Sequence, residues 1–174
     1  MIFDFVLFKV KVPSFRFQVS SFMCFVETTL GYIEWNGHYL MLFRNKKDND
    51  PNEGKWIGIG GHVETGENPD DCFVREVREE TGIILNNLIR RGIIDFISDS
   101  AENERMHLYT ATVDSPDFSE CNEGTLKWIP KEEILNLNLW EGDKHFLTPL
   151  INGKTDIRMR LTYEGWNLIK AESF

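Results

Sequence analysis

In GHVETGENPDDCFVREVREETGI, residues 61–83, a helix can be read from its two ends inward. Asn68 is an N-cap followed by Pro69 at the first helical position. Asp70 and Asp71 face the positive end of the helix dipole, and Gly82 stops the helix just after Thr81. The spacing predicts a helix over 69–81. Glu76, Glu79 and Glu80 then fall at i, i+3 and i+4, on one face, with Cβ atoms about 5–6 Å apart. Phe73 and Val77 form a neighbouring i, i+4 apolar pair suited to pin the helix to a sheet. Three like charges on one face repel, and hard divalent cations relieve that repulsion: Mg²⁺ commonly binds a few carboxylates together with substrate phosphates. The alternative for each glutamate taken singly is a solvated face, with Arg75 paired to Glu79 at i+4. The glycines just before this stretch and at its start, Gly60 and Gly61, let the backbone approach a ligand closely.

Upstream, 28–35 (TTLGYIEW) is β-rich, Asn36-Gly37 is a strong hairpin turn, and 38–43 (HYLMLF) returns as a second strand. Residues 44–54 (RNKKDNDPNEG) contain no apolar side chain and predict a mobile surface loop, followed by a short strand, 56–61 (WIGIGG), ending in glycines. Downstream, strands are expected at 92–97, 106–113 and 126–129, with short helices at 131–136 and 143–151. A closing hairpin is expected from 157–163 and 166–170 around a turn at Glu164-Gly165. The first 22 residues alternate Phe and Val with charge, as an additional strand or two would, or as an extension ahead of a domain spanning 23–174.

Residues 61–83 match, at all nine specified positions, the signature G-x5-E-x7-R-E-U-x-E-E-x-G-U, with U aliphatic, through Gly61, Glu67, Arg75, Glu76, Val77, Glu79, Glu80, Gly82 and Ile83. At ordinary residue frequencies this arises by chance on the order of once in 10⁸ chains of this length. From about Thr28 onward the chain resembles the Nudix hydrolases. The resemblance implies an α+β fold, a Nudix-type α/β/α sandwich with a mixed β-sheet between helices. It also implies Mg²⁺- or Mn²⁺-dependent hydrolysis of a nucleoside diphosphate linked to another group. On that resemblance Glu76, Glu79 and Glu80 are metal ligands, the backbone carbonyl of Gly60 completes the inner sphere, and Arg75 and Glu67 orient helix and loop. Metals in such a site neutralise the polyphosphate, lower the pKa of a bound water and stabilise charge developing at phosphorus. One of these glutamates, or a later one, takes the water's proton. Oxygen ligands accept Mg²⁺ and Mn²⁺ alike.

Outside that box, the lead-in KWIGIGG (55–61), Glu123 three residues before Leu126, and the run Asn138 to Asp143 resemble the MutT-like 8-oxo-dGTP diphosphatases. That branch implies Glu123 as a further metal-approaching, catalytic carboxylate; the alternative is an ordinary acidic loop residue. It implies base contacts from Trp140 and Asp143, since aromatic faces stack on bases and a carboxyl reads a purine edge. The alternative for Trp140 is a cap on the core below the helix that starts near Asp143. Two positions depart from the mammalian pattern: Ile57 stands where those enzymes carry Asn, and Gly142 replaces one of two paired Asp residues. Arg44, Lys46, Lys47 and Lys55 flank the polar loop and either steer the triphosphate or form a solvated basic surface. Gly61 is a candidate substrate contact, His62 can touch phosphate or be incidental, and Trp56 is read as packing.

Length and composition bound these readings. At 174 residues the chain suits one domain that needs no metal or disulfide to fold. Its net charge of −9 disfavours a broad grip on a polynucleotide but not a small anionic ligand bridged by metals. Cys24, Cys72 and Cys121 form no CxxC pair and read as buried small hydrophobes in a reducing, cytoplasmic setting. The longest apolar run near the start, Phe5 to Phe8, is far short of a membrane span, and no secretory leader is evident. The leading functional reading is hydrolysis of an oxidised purine nucleoside triphosphate to monophosphate and pyrophosphate, sanitising the nucleotide pool, by a monomer or homodimer. A pyrophosphatase of an ADP-sugar or dinucleoside polyphosphate is the enzymatic alternative. A non-catalytic nucleotide-binding module is disfavoured by the whole glutamate set.

Overall fold

Two strands that start side by side and then part create the space on which the molecule is organised. β1 (Val26–Trp35) and β2 (His38–Arg44) pair antiparallel through Ile33 to Trp35 and Leu40 to His38, next to the Asn36-Gly37 turn. Farther out, β2 turns to β3 (Trp56–Ile57), while β1 takes single bridges to Ile59 and His62. The glycine segment therefore lies in the fork between β1 and β2. The computed structural model describes residues 24–47 and 50–174, so the N-terminal segment over 1–22, expected as a strand or extension, lies outside the described residues.

The remaining elements are α1 (Pro69–Thr81), β4 (Ile89–Ser98), β5 (Glu104–Thr112), β6 (Gly124–Pro130), a 3₁₀ turn over Lys131–Asn136, α2 (Asp143–Ile151), β7 (Ile157–Glu164) and β8 (Asn167–Ser173). The sheet runs β3-β2-β1-β5-β4-β7-β8, with β6 on the other edge of β2. β1 pairs with β5, and β4 with β7, in parallel; all other ladders are antiparallel, so the sheet is mixed.

Alternation along the strands splits the core into two layers. Ile33, Leu40, Leu42 and Tyr109 face α1, which supplies Phe73 and Val77; the Phe73 ring stacks on Tyr109 with centroids 4.8 Å apart. Tyr32, Tyr39, Met41 and Leu108 face the other way, against Phe146, Leu147 and Leu150 of α2. Helices thus cover both faces, giving the α/β/α sandwich.

α1 has the expected bounds because both ends are locally encoded. Asn68 Oδ1 accepts from the amides of Asp70 (3.0 Å) and Asp71 (3.1 Å), and Gly82, left-handed at φ 72°, donates its N–H to the Arg78 carbonyl. Elsewhere the structure corrects details. The segment at 131–136 is a 3₁₀ turn rather than an α-helix, the last turn is Gly165-Trp166 rather than Glu164-Gly165, and Cys24 is exposed while Cys72 and Cys121 are buried. Arg44 ends β2 instead of opening the loop. The described part of that loop is tied down, by Asp50 on Arg44 and by Asn52 on the Trp140 indole.

Candidate active site

Gly60 and Gly61 sit where no side chain fits. A Cβ on Gly60 would lie 2.0 Å from the Thr29 carbonyl oxygen, and one on Gly61 would lie 2.5 Å from the Glu76 carboxyl. The Gly61 amide and carbonyl are both taken by Thr29: its N–H donates to the carbonyl at 2.8 Å, and its hydroxyl is 3.3 Å from the Gly61 nitrogen. Cys72 Sγ, 3.3 Å from the His62 carbonyl oxygen, braces the next residue from the helix side. The carbonyls of Ile59 and Gly61 are thereby paired to β1, and the alternation leaves Gly60's to point the other way.

Helix α1 brings its glutamates to this cradle, and Arg75 orders them. Arg75 donates to both carboxylate oxygens of Glu67 at 3.0 Å each, to Glu76 at 2.7 Å, to Glu79 at 3.3 Å and to the His62 carbonyl at 3.2 Å. Hydrogen bonds from Arg75 hold the Glu67 carboxyl down at about 2, and the same pairing raises Arg75 above its ordinary value. Glu79, i+4 from Arg75, remains 61% exposed, whereas Glu76 is 16% exposed against the cradle.

Glu80 is the most perturbed of the set. Burial, then the charges of Glu123 and Glu76, push its carboxyl up to about 8, against the opposing pull of Arg44 and the Gly60 amide. One of its oxygens, Oε2, is buried with no hydrogen-bond partner among the described residues. Glu123 arrives from the turn ahead of β6, gripped by Arg44 and Lys47. Burial would raise Glu123, but those two cations outweigh it and leave the carboxyl below its ordinary value. Among the described residues no three carboxylates are gathered as a ready metal cage: Arg75 draws Glu79 aside, and Arg44 and Lys47 draw Glu123. The donor set nonetheless fits a hard divalent cation. It is all oxygen, and it includes a buried carboxylate oxygen, orphaned among the described residues, that a cation would satisfy.

From this end a cleft of about 690 Å³ runs over the sheet face that α2 shares. Its floor is apolar, with Leu30, Phe96, Met106 and Leu161, and its far wall carries Trp140 and Asp143. The Trp140 ring stacks on Trp166 (centroids 5.4 Å, planes 25° apart), donates its Nε1–H to Asn52 Oδ1 at 2.8 Å, and has Lys55 Nζ 4.8 Å from its centre. Asp143, half-buried at the start of α2, is pushed up to about 7 by burial, with Lys55 opposing. The Tyr32 hydroxyl, buried without a partner among the described residues, is raised by that burial and by the Asp143 charge.

The structure thus brings Gly60, Gly61, Arg75, Glu76, Glu80 and Glu123 to one end of a single cleft and Trp140 and Asp143 to the other, whereas Glu79 lies outside its lining, on the exposed flank of α1 beside Arg78. The four basic residues near the loop are engaged with the protein itself. Arg44 holds Asp50 and Glu123, Lys46 the Cys121 carbonyl, Lys47 Glu123, and Lys55 the Asn138 side chain and Leu139 carbonyl. Trp56 packs on Phe43 with centroids 5.0 Å apart. Sequence reasoning missed Thr29 and Cys72, which brace the glycines, Asp50, which holds Arg44, and Trp166, which covers Trp140. Of these only Trp166, a large exposed aromatic on a two-residue turn, carries a local signal.

Comparison with known proteins agrees with this geometry. Residues 28–150 match the NUDIX domain model. The chain is 36% identical over 119 residues to the Nudix hydrolase YvcI of Bacillus subtilis, covering 65% of this chain and 75% of that one. It is 30% identical over 102 residues to the oxidized purine nucleoside triphosphate hydrolase of Mus musculus, covering 58% of this chain and 65% of the mouse protein. Among solved structures, the mutator MutT protein of Bacillus halodurans superposes with a TM-score of 0.74 at 25% identity, covering 85% of this chain and 97% of that one. A match over most of the chain, carried by the same cradle and helix, places it in the NUDIX domain family, as a Nudix hydrolase.

Proposed function

We propose that this protein hydrolyses a nucleoside triphosphate to the monophosphate and pyrophosphate, with an oxidised purine such as 8-oxo-dGTP as the preferred substrate. The observation that carries the reading is the continuity of one cleft from the Glu76–Glu80–Glu123 end to the Trp140–Asp143 end. A polyphosphate and a flat heterocycle are accommodated at opposite ends of it. The oxidised-purine relative from mouse supports the choice of base.

Glu76, Glu80, Glu123 and the Gly60 carbonyl are the groups that would hold Mg²⁺ or Mn²⁺, with Glu79 the exposed fourth carboxylate. When bound, such an ion supplies charge neutralisation and an acidified water. The chain's own contribution is positional. Arg75 fixes Glu67 and Glu76, Thr29 fixes Gly61, and one of the carboxylates, Glu123 included, accepts the proton of the attacking water. At the other end Trp140 offers a ring for stacking, and Asp143, with a carboxyl near neutrality, can donate or accept at a purine edge.

The test is product analysis on 8-oxo-dGTP, dGTP, ADP-ribose and diadenosine polyphosphates, each with Mg²⁺ and with EDTA. Metal-dependent release of pyrophosphate, fastest from 8-oxo-dGTP, supports the reading. Preference for ADP-ribose or a dinucleotide would keep the glutamate chemistry and discard the oxidised-purine assignment.

A further inference from the structure

The cleft ends at an aromatic side chain that neither the turn carrying it nor the core accounts for. Trp166 lies between β7 and β8, in the two-residue turn Gly165-Trp166. Gly165, left-handed at φ 56°, meets the backbone requirement of the turn, and nothing in such a turn calls for an indole at its second position. Nor is the ring sunk in the core. Trp166 is 57% exposed, whereas Leu161 and Tyr163, on the strand leading into the turn, are buried along the cleft. An indole left that far in water forgoes much of the burial through which tryptophan stabilises a fold.

The turn is nevertheless anchored. Gly165 donates its N–H to Asp99 Oδ1 at 2.8 Å, and Ser100 Oγ is 3.5 Å from the Gly165 carbonyl oxygen. Trp166 thus projects from a fixed corner, and it lines the cleft together with Trp140 and Asp143. Trp140 is already engaged around its ring: Asn52 takes its N–H, Trp166 stacks on it, and Lys55 Nζ stands 4.8 Å from its centre. Lys55 precedes β3 at one edge of the sheet, and Trp166 joins the last two strands at the other edge, so the two approach Trp140 from opposite sides. The exposed aromatic surface at this end of the cleft is therefore chiefly that of Trp166.

We propose that Trp166 is a substrate-binding residue whose indole, backed by Trp140, stacks on the base of the nucleotide. The inference rests on the reading of the cleft as a nucleotide site and extends its base end from one indole to two. Every base has a π-face, so this contact adds affinity without choosing among bases. A ligand with phosphate and sugar but no base gains nothing from it.

The experiment compares the protein with Trp166→Ala, Trp166→Leu and Trp166→Phe. Binding of 8-oxo-dGMP, dGMP and the baseless 2-deoxyribose 5-phosphate is measured by calorimetry with Mg²⁺, alongside kcat and KM for 8-oxo-dGTP. Trp166→Ala should weaken both nucleotides by roughly 10- to 100-fold, the range of a lost base stack, and leave the sugar phosphate unchanged. On 8-oxo-dGTP the loss should fall on KM and spare kcat, as removal of uniform binding does. Trp166→Phe, still aromatic, should keep most of the affinity, and Trp166→Leu, apolar but not aromatic, should lose as much as Trp166→Ala. Nucleotide binding by Trp166→Ala equal to that of the unmodified protein would overturn the proposal, as would an equal loss on the sugar phosphate. Affinity retained equally by Trp166→Leu and Trp166→Phe would also overturn it, since the ring would then only pack against Trp140. Should 8-oxo-dGTP not be hydrolysed, the proposed function fails on its own and monophosphate binding decides the stacking contact: an aromatic-dependent affinity supports it, and absent binding of both nucleotides refutes it.

Discussion

The carboxyl of Glu76 fills the space that a side chain on residue 61 would need: a Cβ on Gly61 would stand 2.5 Å from it. Arg75 holds the same carboxyl at 2.7 Å, so it is not free to swing away. Gly61→Ala is therefore expected to push Glu76 out of the cradle and reduce kcat about 100-fold, since misplacement by about 1 Å costs that much. The circular dichroism spectrum should be unchanged. Turnover within threefold of the unmodified protein would show that Gly61 does not set the position of Glu76.

Arg75 is the organising cation of the site, and its planar fork spans both oxygens of Glu67 while also reaching Glu76. An ammonium cannot reproduce that geometry. Arg75→Lys should raise the Mg²⁺ concentration needed for half-maximal activity by roughly 10- to 100-fold, as loss of a group that orients metal ligands does. A metal titration curve that superposes on that of the unmodified protein would contradict this role.

Asp143 predicts a pH dependence of stability whose sign is fixed by its upward shift. The carboxyl moves from an ordinary 3.8 to about 7 in the folded protein, mainly through burial. Below the lower value it is neutral whether the chain is folded or not. As pH rises, the unfolded chain gives up the proton first, so this contribution to stability fades and is gone once pH passes the folded value. Thermal melts from pH 4 to pH 8 should show Asp143→Asn gaining steadily on the unmodified protein. Parallel curves across that range would mean Asp143 is not held in the protonated form.

Trp140 stacks on Trp166 at 5.4 Å and is anchored by Asn52, so its ring is oriented toward the cleft rather than sunk in the core. Trp140→Ala should weaken binding of 8-oxo-dGMP roughly 10- to 100-fold, the range typical of a lost base stack, and leave pyrophosphate binding unaffected. Equal weakening of both ligands, with a fall in melting temperature, would make Trp140 a structural residue.

What could be read from sequence divides along physical lines. Helix α1 was legible to the residue because Asn68, Pro69 and Gly82 act on their immediate neighbours, and the β1–β2 hairpin was legible because Asn36-Gly37 dictates its own turn. The glutamates share a helix face by spacing alone. The parallel pairing of β1 with β5 and of β4 with β7 was not legible, because each joins segments with intervening strands and turns. Nor was the grip of Arg44 and Lys47 on Glu123, partners 79 and 76 residues apart. Residues 131–136 formed a 3₁₀ turn because six residues following Pro130 are too few to repay α-helix nucleation.

The proposed activity is metal-dependent hydrolysis of a phosphoanhydride by carboxylates of α1 beside Gly60 and Gly61. Its most direct test is the initial rate of pyrophosphate release from 8-oxo-dGTP by the protein and by Glu80→Gln, each with Mg²⁺ and with EDTA. Glu80→Gln keeps the size and removes the ionisable carboxyl of the residue whose buried oxygen has no partner among the described residues. EDTA should abolish turnover, and Glu80→Gln should lose about 100- to 1,000-fold with the fold intact, the scale expected when one electrostatic catalytic group is removed. Turnover that survives EDTA, or Glu80→Gln activity equal to that of the unmodified protein, would contradict it.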